Sequence, residues 1–227
     1  MWTVFFIKKH IFSWILRVFS LAFVVSALAY AAFLSSVQKL PFAKSFYFLV
    51  SQTTKVEVGI FDAQLEGGAG YFLEKNGKQY VALSVYFNKI DARAVENRLR
   101  KEGREVALLS YDVEGLYFKR EKEKATFYKN ALESLYVCLR QINLETQRLD
   151  KGATQQSSVK ILRAIQEVFQ TLYYTYKNSY SACAQVCQMG ESALQEIVEK
   201  TIYAKDLRHL LCELVEAYLD LASHFHL

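Results

Sequence analysis

Two stretches of similar plan, FYFLVSQTTKVEVGIFDAQLEGGAGYFLE and YVALSVYFNKIDARAVENRLRKEGREVALLSY, lie side by side within residues 45–118 and limit the possible folds more than any other feature of the chain. In the second, Val81, Leu83, Val85 and Phe87 alternate with Tyr80, Ala82, Ser84 and Tyr86, a period of two that predicts a strand. Asn88 then offers a capping side chain with Asp91 three residues on, and Ala92, Val95 and Leu99 recur at helical spacing until Gly103 supplies a left-handed stop. Glu105 to Tyr111 returns to a strand rich in Val and Leu.

The first stretch repeats this order: a strand over Phe46–Val50, a polar start at Ser51–Thr54, a segment to Glu66, the pair Gly67-Gly68, and a strand over Tyr71–Glu74. Val56 to Phe61 has strand propensity, because β-branched residues and a glycine disfavour helix. Yet Val56, Ile60 and Ala63 can share a helix face, and the interval from Phe46 to Gly67 nearly equals that from Val81 to Gly103, so the repeat predicts a helix. Asn76-Gly77, the preferred two-residue hairpin turn, joins the halves. The expected order is βαββαβ, a ferredoxin-like antiparallel sheet with both helices on one face and the other face free for a ligand or partner.

Ahead of this unit, Val18 to Val37 runs twenty residues without a charge, enough to cross a bilayer as a helix. Lys8, Lys9 and Arg17 precede it and Lys39 and Lys44 follow, a small bias toward a cytoplasmic N-terminus. The expectation is a cytoplasmic segment 1–17, a transmembrane anchor 18–38, and extracytoplasmic domains at 45–118 and 119–227, making a single-pass protein of the cell membrane. Ala27-Leu28-Ala29 and Ala29-Tyr30-Ala31 offer the competing reading of a cleaved signal peptide, but the upstream segment is itself apolar, with Trp2, Phe5, Phe6, Ile11, Phe12, Trp14 and Leu16. Pro41 marks the exit from the helix region.

From residue 119 onward the periodicity is helical. Tyr128, Leu132, Leu135, Leu139, Ile142, Thr146 and Leu149 form one seam, and Leu162, Ile165, Phe169, Leu172, Tyr176, Tyr180, Cys183 and Cys187 a second that should end or bend at Gly190. Leu194 to Phe225 continues the pattern with a break near Ala204-Lys205-Asp206, so an all-α antiparallel bundle of three or four helices is expected. Cys138, Cys183, Cys187 and Cys212 read as free buried thiols, with a disulfide or a metal pair at Cys183 and Cys187 as alternatives. His209, His224 and His226 read as helix-end or solvent residues. No metal site and no cofactor is expected.

Residues 45–112 resemble the SPOR (sporulation-related repeat) domains of bacterial cell-envelope proteins. The carriers are the twofold repeat, the GGAGY run at Gly67 to Tyr71, and YVALSVYFNKIDARAVENRLRKEG, which looks like that family's strand followed by an alanine-rich helix with a closing glycine. The resemblance implies non-catalytic binding of peptidoglycan glycan strands stripped of stem peptides, in division or sporulation. With Val81, Leu83, Val85 and Phe87 under the helices, Tyr80, Ser84 and Tyr86 would lie on the open sheet face, joined by Tyr47, Ser51 and Tyr71. Tyrosine can cover a sugar face and hydrogen-bond its edge. The alternative is a membrane-anchored scaffold or adaptor that binds envelope proteins through the sheet face and the bundle.

Other functions find little support. The formal charge of +5 comes from Lys and Arg that alternate with Asp and Glu, which argues against nucleic acid. No nucleophile elbow, phosphate loop or metalloprotease motif is present, so no enzymatic activity is expected.

Overall fold

Each half of the repeat folds as strand, helix, strand, and the chain continues into four helices. The computed structural model describes residues 26, 37–53, 55–119 and 122–225. In chain order the elements are β1 (Val37–Gln52), α1 (Val56–Leu65), β2 (Tyr71–Lys75), β3 (Lys78–Tyr86), α2 (Lys89–Lys101), β4 (Ala107–Lys119), α3 (Lys122–Asp150), α4 (Gln155–Tyr176), α5 (Ser181–Val198) and α6 (Ala204–Ser223). The sheet order is β2-β3-β1-β4 and every pairing is antiparallel, so the α+β class and the βαββαβ order stand. Asn88 caps α2 as expected, accepting the Ile90 N–H. The strand-prone Val56–Phe61 stretch is helical, as the repeat implies, and Gly59 lets α1 approach the sheet closely: a Cβ there would stand 3.2 Å from Val81.

The transmembrane part of the expected fold, and with it the single-pass membrane localisation, is corrected. No helix among the described residues is long and apolar enough to cross a membrane. The long helices α3 to α6 carry their apolar residues on a stripe broken by charge, as packed helices do. Residues 1–17 lie outside the described residues, as does the expected anchor 18–38 apart from helical Ser26 and the pair Val37 and Gln38. Those two residues open β1, opposite Lys119 and Phe118 of β4, instead of closing a helix. Pro41 falls between Leu40 and Ala43, where the β1–β4 register shifts and a missing N–H costs least.

One extra residue in β3 redirects half of that strand. Val50 pairs with Ala82 but Leu49 pairs with Ser84, so Leu83 has no partner on β1. This is a β-bulge, and it reverses the facing of everything after it. Val81 and Leu83 pack with Leu49, Ala63, Leu99 and Val106 beneath α1 and α2, whereas Val85 joins Phe46, Phe48, Val50 and Ala82 on the opposite side. The sequence alternation had placed Val85 and Phe87 under the helices.

That opposite side is not open. α3 and α6 lie against it, with the Phe46 ring 5.3 Å from Tyr218 and 5.9 Å from Tyr136, and Phe87 5.5 Å from Tyr136. Sheet and bundle residues form one continuous buried cluster. Within the bundle, the break falls at Lys177–Tyr180 and not at Gly190, which lies inside α5 against the Phe169 ring. Buried Glu145 ties α3 to α4 by accepting from Ser158 Oγ at 2.6 Å, and within α3 it also accepts from Arg148 at 2.7 Å.

Candidate functional site: an arginine-lined cleft over the β3 bulge

The bulge frees a backbone carbonyl, and the loop after α1 takes it. Ala69 N–H donates to Leu83 O at 2.8 Å, while Gly68 N–H closes the end of α1 on Ala63 O at 2.7 Å. Gly67 adopts a φ of +81°, which suits glycine at a helix end. A Cβ on Gly68 would sit 3.0 Å from Ala63 O and 3.3 Å from the Leu83 side chain, so the glycine pair lets this loop lie on the bulge.

Three arginines from separate elements gather around that contact. Arg208, near the start of α6, donates to Gly67 O at 2.5 Å and pairs with Asp150 at the end of α3. Arg104, after α2, pairs with Glu66. Arg98 on α2 is the least engaged: its side chain is 68% exposed and its contact with Glu102 is 3.9 Å. Together with Ser84 and Tyr86 they line a cleft of about 280 Å³. Burial raises the Tyr86 phenol above its ordinary pKa of 10.0, against the opposing pull of its Ser84 hydrogen bond and of Arg208 and Arg98. It therefore stays a protonated donor near neutrality. Two hydroxyls and three guanidinium groups against the carboxylates of Glu66 and Asp150 make a site suited to an anionic group held by charge-assisted hydrogen bonds.

The six residues expected on one sugar-binding face divide between the two sides of the sheet. Ser84 and Tyr86 meet in the cleft; Tyr47 is the β1 partner of Tyr86, and Ser51 is the partner of Val81, so both share the helix side. Tyr71 and Tyr80 pack instead against the bundle side. Tyr71 is engaged there, donating to Glu216 at 2.5 Å and presenting its ring to His209 at 5.4 Å. Burial and the Glu216 carboxylate both push its phenol pKa up. His209 Nδ1 lies 2.9 Å from Ala69 O and lines a second cleft, of about 360 Å³, with Asp206 and Glu213. Consecutive residues of α6, Arg208 and His209, thus hold the carbonyls of Gly67 and Ala69.

Arg98 and Arg208 escape a reading by local pattern because charged residues on amphipathic helices ordinarily signify a solvated face, and Arg104 because it follows a helix stop in a polar loop. The available signal was the GGAG run, whose glycines mark a close approach. All four cysteines are free and buried, and among the described residues no group of three or more His, Cys, Asp or Glu could hold a metal ion. No protein-family model, curated protein or solved structure matches the chain.

Proposed function

We propose that the protein is a non-catalytic binding module for an anionic glycan, held in the arginine-lined cleft and not on the sheet face. The observation that carries the reading is the single cleft that Arg98, Arg104 and Arg208 line together with Ser84 and Tyr86. Peptidoglycan strands stripped of stem peptides, the ligand implied by the SPOR resemblance, suit such a site. Cleaving the amide that holds a stem peptide leaves a free carboxylate on the sugar, and a guanidinium recognises carboxylate in a planar, two-point manner. The cleft volume of about 280 Å³ fits one carboxylated sugar unit and not a long stretch of strand. The adaptor alternative loses the sheet face, because α3 and α6 already occupy it.

Co-sedimentation of the full chain with purified glycan strands tests the proposal. Denuded strands should retain the protein, strands carrying stem peptides should retain it poorly, and raised salt should release it. Absence of retention on denuded strands, or equal retention on both, would remove the reading.

A further inference from the structure

A glycan strand is a polymer, so a sugar held in the arginine-lined cleft has neighbours that must leave it somewhere. One way out is barred: Arg208, bonded both to Gly67 O and to Asp150, joins α6 and the end of α3 to the loop after α1. Arg104 marks another, because it also lines a second cleft, of about 500 Å³, together with Gln52, Arg100, Gly103, Glu105 and Ala107. Strand β1 passes along both. Leu49 lines the first cleft and Gln52 the second, about 10 Å apart at roughly 3.3 Å per residue, a span that a short oligosaccharide covers.

The two clefts differ in charge. In the first, Arg98 is largely disengaged and free to meet an anion. In the second, Arg100 donates from Nε to Val106 O at 3.0 Å and pairs with Glu96 at 2.8 Å, Arg104 pairs with Glu66, and Glu105 adds a carboxylate, so no positive charge is left over. What this cleft offers is neutral: the exposed side-chain amide of Gln52, which has no hydrogen-bond partner among the described residues, and the methyl of partly buried Ala107. Above Gly103 there is room, since a Cβ there would meet nothing within 4 Å. An amide beside a methyl suits an acetamido group, which both donates and accepts and ends in a methyl of its own. Glycan strands stripped of stem peptides alternate a carboxylated sugar with a neutral N-acetylated one. We infer that the neutral sugar next to the bound carboxylated unit occupies this second cleft, with Gln52 on its acetamido group. The inference rests on the proposed binding of the carboxylated unit in the first cleft.

Amide NMR titration of the full chain tests it with two probes, the carboxylated sugar alone and a trisaccharide that carries it between two neutral N-acetylated units. Both probes should shift the amide of Tyr86, and the trisaccharide alone should also shift those of Gln52 and Gly103. Because the linked unit binds at a high effective concentration, the trisaccharide should bind at least about tenfold more tightly than the single sugar. Gln52→Ala, an exposed change at the end of β1, should reduce that gain to about threefold or less and leave the single sugar's affinity unaltered. Arg98→Ala should weaken both probes by a similar factor. A trisaccharide that binds no better than the single sugar, a gain that survives Gln52→Ala, or an unshifted Gly103 amide would overturn the second cleft while leaving the first in place. Binding of neither probe would remove both.

Discussion

The ring of Tyr218 packs against Phe46 and Tyr136, and its hydroxyl is fully buried with no hydrogen-bond partner among the described residues. An unsatisfied buried hydroxyl costs free energy that its removal recovers, so Tyr218→Phe should leave stability unchanged or raise it by about 1 kcal/mol. Urea denaturation reads the change directly, and a loss above 1 kcal/mol would mean that the oxygen has a partner. Cys138 gives a pH dependence. Burial pushes its thiol from an ordinary value of 9.0 up to about 12, so the unfolded chain ionises first. Stability from this group is complete below pH 9 and declines as pH rises toward 12. Replacing Cys138 by Ala should flatten that alkaline decline when unfolding is followed from pH 8 to 11; an unchanged slope would exclude the thiol as its source. Not every residue of this kind was legible beforehand. The alternation of Val81 to Phe87 correctly announced a strand, but nothing in Leu83-Ser84, neither glycine nor proline, marks the bulge that turns Val85 and Phe87 to the other side.

Helix boundaries followed the sequence where a specific residue set them and departed where apolar spacing alone was the guide. Asn88 and Gly103 bracket α2 by capping chemistry that any reading of the chain detects. Between α4 and α5, Tyr176, Tyr180, Cys183 and Cys187 keep a spacing of four or less straight through the break, so periodicity conceals it. Gly190 suggested a helix end, yet its function is close approach: a Cβ there would stand 2.9 Å from the Phe169 ring. Gly190→Ala should therefore destabilise by about 1–3 kcal/mol through overpacking, despite the better helix propensity of alanine. A stability gain in urea denaturation would show that α4 and α5 have room to separate.

Sheet and bundle bury a common core, and local periodicity carries no information about what covers a face. The βαββαβ order was legible from the repeat and its Asn-Gly turn; the packing of α6 across Phe46 was not, because it joins residues distant in sequence. Phe46 sits where both parts meet, touching Phe87, Tyr136 and Tyr218. Phe46→Ala should cost about 3–5 kcal/mol and lower helical and tyrosine signals along one common thermal transition. Separate transitions would mean that the shared core does not couple the two parts. In the proposed function the same burial places sugar recognition in the arginine cleft instead of on the sheet face, and affinity for denuded glycan strands distinguishes the two surfaces. Arg98→Ala should weaken binding of the full chain about tenfold, while Tyr71→Phe on the bundle side leaves it unaltered. Weakening by Tyr71→Phe with Arg98→Ala silent would contradict the arginine cleft as the place of binding.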